Sequence, residues 1–549
     1  GRYVIDMGTA LSGWFRIQLP QLNAGDAVTM SFADRERDSK YQTFRQTSQF
    51  ISAGKPGEVF QNKFSYMGYR YVLIEGLPSA PAKSDAVALL VESDLEQTGA
   101  FECSNDLLNR IFYLNEWTLR CLNLGGFTVD CPHRERKGYG GDGQVPIESI
   151  MTSFRSDGFY RKWLVDWQEV QKEDGSLPNV APRTGGGGGP GWGGFVAAAT
   201  WRHYLYYGDL RVVAENFDTV RNYVEYMEAI SENNGDILTG RNSKFSFIGD
   251  WVAPGRGMSS DNLPTMEAKT FFNNCYRMYH LQLMVNMAQA LGETAVAEKY
   301  QQVIERARPV IHEQFYDAAQ EHYVIDEQGY YLMALMSGVT PESLRETILA
   351  KLEQNILEAS GGHFGTGLLG TYFMMEYLRE IGRSDLVFAM ATKTTYPSWG
   401  YMLEQGGTTV WEQWNGEFSQ IHSCFPSANN WLYQSLGGIQ ADPTAPGFEN
   451  VIIKPDMVGD VSWVKTHYDS IHGRIISHWK REGGNVTMDV TLPPGCTGTI
   501  YVPTDSVDSV RVNGIPVDSE ELVQLIQFAD GRAAYTVASG SYKFSSKVK

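Results

Sequence analysis

The sequence contains no uninterrupted apolar run near the ~18 residues that cross a bilayer, so no membrane span is expected. Its six cysteines (Cys103, Cys121, Cys131, Cys275, Cys424, Cys496) include no CxxC pair. That rules out a zinc ribbon and is too sparse for a disulfide scaffold, leaving buried free thiols as the expectation. There is no GxGxxG after a strand, no Walker loop and no HExxH, so nucleotide and zinc-protease chemistry lack their usual marks. The glycine run Gly185 to Gly189 leads into Pro190-Gly191-Trp192, not Lys-Ser/Thr, and is no phosphate loop. Positive charge is also short. With 46 Lys and Arg against 64 Asp and Glu, the net charge of −18 argues against nucleic acid or an anionic membrane as partner. No cofactor and no metal is expected. The chain opens on Gly1-Arg2-Tyr3-Val4, strand-like and without a charged, apolar leader, so the opening assigns no compartment.

What is present divides into three stretches. Hydrophobic residues at 42% and charged ones at 20% describe a globular chain, and 549 residues allow several cores. In the first hundred residues Phe15, Ile17 and Leu19 alternate with Arg16 and Gln18, and Val28, Met30 and Phe32 with Thr29 and Ser31. Period two with a polar outer face predicts half-buried antiparallel strands, here a β-sandwich over 1–98. After Ser104 the spacing turns helical. The clearest pair is Met266–Leu291 and Ala295–Phe315 with Gly292 between them, an antiparallel helical hairpin. About eleven such segments fall within 99–438, close to the twelve of a closed ring of six helical hairpins. Alternation returns at Val486, Met488, Val490 and Leu492, and Val512-Asn-Gly-Ile515 reads as a hairpin turn. Residues 439–549 are therefore expected to form a second β-sandwich.

Two stretches resist a purely structural reading. Asp130-Cys-Pro-His-Arg-Glu-Arg-Lys-Gly-Tyr-Gly-Gly-Asp142 concentrates acids, guanidinium groups and glycines, which neither a core strand nor a buried helix tolerates. It reads equally as a charged surface turn or as an ordered loop around a polar ligand. Gly406-Gly-Thr-Thr-Val-Trp-Glu-Gln-Trp-Asn415 brackets Glu412 with Trp411 and Trp414. Apolar walls raise a carboxyl pKa and flat aromatic faces stack on sugar rings, although core packing explains such tryptophans too. The long glycine-rich loops 174–194 and 238–262 add Trp192, Asp250 and Trp251. Paired acids from separate segments in a tryptophan-lined cleft suit glycoside hydrolysis.

The 130–142 stretch resembles the signature loop of bacterial α-L-rhamnosidases, a family of inverting glycosidases with an (α/α)6 barrel. Similarity continues through Asp6-Met-Gly8, Phe64–Tyr71, Gly249-Asp-Trp251, Gly367–Thr371, Thr408–Glu412, Trp431-Leu-Tyr433, Pro455 and Tyr468–Trp479. The resemblance implies a multidomain α+β fold, the barrel flanked by two β-sandwiches. It implies Glu135 as general acid, Glu412 as general base, and a rhamnose-containing oligosaccharide, polysaccharide or glycoside as partner. Asp130, Arg134, Tyr139, Asp142, Trp192, Asp250, Trp251, Trp411 and His422 would contact the sugar. A periplasmic or secreted enzyme is expected rather than a cytoplasmic one. The pattern departs at Tyr139, where the family has tryptophan, at Gly140 where it has threonine, and after His422. Family members generally carry further β domains upstream that this chain does not include. The competing readings are a carbohydrate-binding relative with weakened catalysis and an inverting (α/α)6 glycosidase for another sugar.

Overall fold

The computed structural model describes residues 1–548 except 184, 188, 241–244 and 258–261. Part of the glycine run and parts of the 238–262 loop therefore lie outside the described residues. The chain is mixed α and β, with sheets at both ends and a helical middle.

The N-terminal strands are β1 (Arg2–Gln18), β2 (Ala27–Ala33), β3 (Thr47–Ile51), β4 (Val59–Gln61), β5 (Met67–Glu75) and β6 (Ala86–Leu90). They form one six-stranded antiparallel sheet in which β1 pairs with β5, β4 and β6 along its length. Its seventeen residues serve three partners in turn, Arg2 to Gly13 pairing with β5, Gly13 to Ile17 with β6 and Arg16 to Gln18 with β4. Phe15, Ile17, Val28, Met30 and Phe32 are all buried, the faces their alternation predicts. Directly after residue 98 comes β7 (Gly99–Cys103). It adds to the C-terminal sheet by pairing with β8 (Trp463–Ser470), so the two ends of the helical region are stitched together.

The helices are α1 (Asp106–Leu122), α2 (Gly140–Gln144), α3 (Ile147–Ser153), α4 (Asp157–Val170), α5 (Pro190–Gly193), α6 (Phe195–Tyr207) and α7 (Leu210–Glu232). Then follow α8 (Met266–Ala290), α9 (Thr294–Phe315), α10 (Gln328–Met336), α11 (Glu342–Gln354), α12 (Leu368–Glu380), α13 (Ser384–Ala391), α14 (Trp399–Glu404) and α15 (Ala428–Trp431). The hairpin of α8 and α9 turns at Gly292, whose φ of 74° is left-handed and suits glycine. Neighbours run in a cyclic order: α3 packs on α6, α6 on α8, α8 on α10, α10 on α12, α12 on α15 and α15 on α3. α10 was not expected from periodicity. Gln328 through Leu335 are all buried, so no polar face marks it as a helix.

Among the described residues the C-terminal region contains a five-stranded and a seven-stranded sheet, the latter ending in β7. No described helix is long and apolar enough to cross a membrane.

Candidate active site

The site lies where the loop carrying Glu135 meets the loop carrying Glu412. The Glu412 loop folds back on itself: His422 N–H donates to the Val410 carbonyl at 2.9 Å, and Glu412 N–H to the Ser419 carbonyl at 2.9 Å. Its start is anchored by α1, where Thr118 Oγ1 accepts the Val410 N–H at 2.8 Å. The Glu135 loop is closed by Asp130, whose Oδ1 accepts the Lys137 N–H at 2.8 Å. Ser423 then ties the loops together, donating its N–H to the Asp130 carbonyl at 3.2 Å and its hydroxyl to Asp142 Oδ1 at 2.7 Å.

Each loop contains a non-glycine residue in the left-handed region, Arg136 at φ 57° and Phe418 at φ 59°. Val252, beside Trp251, is a third, also at φ 57°. Such backbone is unfavourable by roughly 1–3 kcal/mol for each residue and persists only where surrounding contacts hold it.

Arg134 links the two glutamates. Its Nη2 donates to Glu412 Oε1 at 2.9 Å and Oε2 at 3.1 Å, across 278 positions of chain, and lies 3.4 Å from Glu135 Oε1. Glu412 is almost fully buried, and its Oε2 accepts the Ser419 N–H at 3.0 Å. Glu135 is more open; its Oε2 accepts the Tyr139 hydroxyl at 2.7 Å and the Lys137 ammonium at 3.4 Å. Burial raises the Glu135 carboxyl, but the Tyr139 hydrogen bond and the charges of Arg134 and Lys137 outweigh it and leave it below its ordinary range.

His422 stands among three acids, 3.9 Å from Glu412, 4.0 Å from Asp130 and 3.7 Å from Asp142. Its Nδ1 has no hydrogen-bond partner. Burial pushes Asp142 up to about 7, and Asp130 above its usual range, against the pull of His422 on both. Cys131 and Cys424 put thiols near enough for two candidate donor sets, Asp130-Cys131-His422 and Asp142-His422-Cys424. Burial and the neighbouring acids hold both thiols well above their ordinary pKa.

The aromatic residues divide. Trp192, buried in the short α5, closes over α2: a Cβ on Gly140 would stand 1.9 Å from the Trp192 carbonyl, and one on Gly141 2.9 Å from its ring. Glycine at 140 therefore lets the tryptophan stand against the Glu135 loop. Trp251, next to Asp250 in sequence, remains partly exposed. The Asp250 carboxylate caps the start of α12, its Oδ2 accepting the Gly367 N–H at 2.7 Å and its Oδ1 that of Gly370 at 2.8 Å. Burial raises Asp250 to about 6. Trp411 and Trp414 do not flank Glu412 as a sugar platform. Trp414 stacks on Phe425 at 4.1 Å, and Trp411 walls a cleft of about 240 Å³ against the N-terminal sheet, with Arg35, Arg70 and Gln420. Neighbouring residues of an extended loop point different ways, which bracketing in sequence does not reveal. Ser419 and Ser423, which bond Glu412 and Asp142, were not anticipated; serine in a loop gives no signal of its own.

Known proteins match this chain along its length. Residues 96–436 match the bacterial α-L-rhamnosidase 6 hairpin glycosidase domain, 438–514 the C-terminal domain of those enzymes, and 1–92 their concanavalin-like domain. An α-L-rhamnosidase from Streptomyces avermitilis is 28% identical over 99% of this chain and 52% of its own length. The structure of α-L-rhamnosidase from Dictyoglumus thermophilum superposes with a TM-score of 0.89 at 26% identity, over 99% of this chain and 62% of that one. That of the Streptomyces avermitilis α-L-rhamnosidase complexed with L-rhamnose gives 0.89 at 27%, over 100% and 52%. The chain spans about half the length of the curated relatives it matches. Matched along all three of its regions, the chain belongs to the bacterial α-L-rhamnosidase family.

Proposed function

We propose that this chain carries the catalytic unit of an inverting exo-α-L-rhamnosidase. Its helices are read as an (α/α)6 barrel, with the cyclic set α3, α6, α8, α10, α12 and α15 inside and β-sandwiches at either end. The domains are read as 1–98, 99–438 and 439–549, with β7 reaching across the last boundary. The observation that carries the proposal is the Arg134 bridge, which gathers two carboxylates from distant segments around one cation.

In this reading Glu135 donates its proton to the glycosidic oxygen as the bond from that oxygen to the rhamnose C1 breaks. Glu412 takes a proton from a water on the opposite face while the water oxygen bonds to C1, and the product emerges inverted. With legs of 2.9 and 3.4 Å to one nitrogen, the nearest glutamate oxygens face each other across the Arg134 Nη2, a spacing compatible with the about 6.5–9.5 Å between carboxyl groups that inversion uses. Arg134 then balances the charge left on Glu135. Seating the sugar excludes water from Glu135, whose burial already works to protonate it. Asp130, Asp142 and His422 receive the ring hydroxyls. Trp192 and Trp251 offer C–H-stacking faces, and Asp250 acts by fixing the start of α12 beside them. The substrate is a terminal α-L-rhamnosyl group on a glycan or glycoside, a reading supported by the relative solved with L-rhamnose.

The Tyr139 hydrogen bond that lowers the pKa of Glu135 favours one alternative, a rhamnose-binding relative without effective acid catalysis. Turnover of nitrophenyl α-L-rhamnoside separates the two. Glu135→Gln and Glu412→Gln are each expected to lose at least about 100-fold in kcat, the lower end of what acid–base catalysis contributes. Near-normal rates in both variants would exclude these roles. Tight calorimetric binding of L-rhamnose with no turnover of any rhamnoside would support the alternative.

A further inference from the structure

We infer that Asp34 and Arg35, directly after β2 of the N-terminal region, are positioning residues of the catalytic site that hold the Glu412 loop and the Glu135 loop in register. The inference rests on the hydrolase reading above and deepens it by giving the N-terminal region a part in catalysis.

Asp34 follows β2 immediately, and its side chain is wholly buried. Its Oδ2 accepts the Gln420 N–H at 2.7 Å and lies 3.5 Å from Nε2 of His133, an equally buried ring. Gln420 adjoins Ser419, which exchanges two hydrogen bonds with Glu412. His133 adjoins Arg134, the bridge between the glutamates, and is two residues from Glu135. One carboxylate oxygen thus touches both loops next to their reacting groups.

Arg35 holds the strained part of the same loop. Its Nη1 donates to the Gly416 carbonyl at 2.8 Å and to the carbonyl of Phe418, the residue in left-handed conformation. The Phe418 ring in turn lies under the Arg134 guanidinium, 5.5 Å away. The Glu135 loop is held from the same sheet region: Arg136, its own left-handed residue, donates to Ser65 Oγ at 3.1 Å and stacks on Tyr66 at 4.7 Å. Phe44 packs on His133 at 4.5 Å between ring centres. Two strained loops need outside support to hold their carboxylates in place, and the N-terminal region supplies it to both.

Stability alone is a poor account of Asp34. Oδ1 has no hydrogen-bond partner, neither ring nitrogen of His133 has one, and burial drives the carboxyl up to about 7. A buried acid so incompletely paired contributes little to folding, and a hydrophobic residue there would contribute more. Its geometric value lies in the Gln420 amide.

The test compares Asp34→Ala, Asp34→Asn and Arg35→Met with the unaltered chain and Glu412→Gln on nitrophenyl α-L-rhamnoside, well below each melting temperature. Displacing the base by about 1 Å is expected to lower kcat about 100-fold in Asp34→Ala with KM within about threefold, while Asp34→Asn, which keeps an acceptor for the amide, stays within about fivefold of the unaltered kcat. Arg35→Met is expected to follow Asp34→Ala and supplies the answer if that variant does not fold. Unchanged kcat in the folded variants of an active enzyme overturns the inference and leaves the hydrolase reading intact. So does a loss that is equal in Asp34→Ala and Asp34→Asn and follows melting temperature alone. An unaltered chain inactive on every rhamnoside, or a fully active Glu412→Gln, overturns the hydrolase reading and the inference with it.

Discussion

Tyr139 helps to lower the pKa of the Glu135 carboxyl. Its hydroxyl donates to Glu135 at 2.7 Å, stabilising the ionised carboxylate, whereas an acid catalyst must hold its proton. The rate falls as pH rises through the pKa of the acid, so whatever lowers that pKa narrows the alkaline side of the profile. Tyr139→Phe removes the donor and raises the pKa, and the alkaline limb of kcat/KM is expected to move to higher pH. A limb that stays put or moves to lower pH would contradict the role given to the hydroxyl. The departure from tryptophan was visible in the sequence, but its consequence was not, because it depends on a hydrogen bond between residues four apart in an irregular loop. The same holds for Trp411 and Trp414. Their types suggested a sugar platform, yet the fold turns one into an aromatic cluster and the other toward the N-terminal sheet.

Among the elements, α2 shows how glycine builds the site wall. A Cβ on Gly140 would meet a backbone carbonyl, which cannot rotate away as a side chain can. Gly140→Ala is expected to cost about 1–3 kcal/mol, as overpacking does, and to lower kcat by moving Trp192 or the Glu135 loop. Gly158→Ala, in α4 with open space around it, serves as control and is expected to be neutral or stabilising by about 0.5–1 kcal/mol. Thermal melts of the two variants check this, and equal melting temperatures would refute the packing argument. The amphipathic elements were legible. The α8–α9 hairpin was placed within about one residue at each end, because one face is polar and glycine marks the turn. α10 was not legible, since a helix buried on every side has no period to read.

At the scale of the whole molecule, strand-rich ends around a helical middle followed from the change of period alone. The connections between them did not. β7 pairs with a strand more than three hundred residues later, and Asp34 contacts loops that lie far along the chain. Local patterning carries no record of such pairings, and the resemblance to the family assigned site residues only within the motifs it matched. Those long-range contacts define one central claim: two carboxylates gathered on Arg134 act from opposite faces of a rhamnoside and invert its anomeric carbon. Proton NMR during hydrolysis of nitrophenyl α-L-rhamnoside measures this before mutarotation mixes the anomers. The account predicts that β-L-rhamnose appears first and the α anomer later. α-L-Rhamnose as the first product would contradict it, because a retaining path requires a covalent intermediate that the assigned general base does not form.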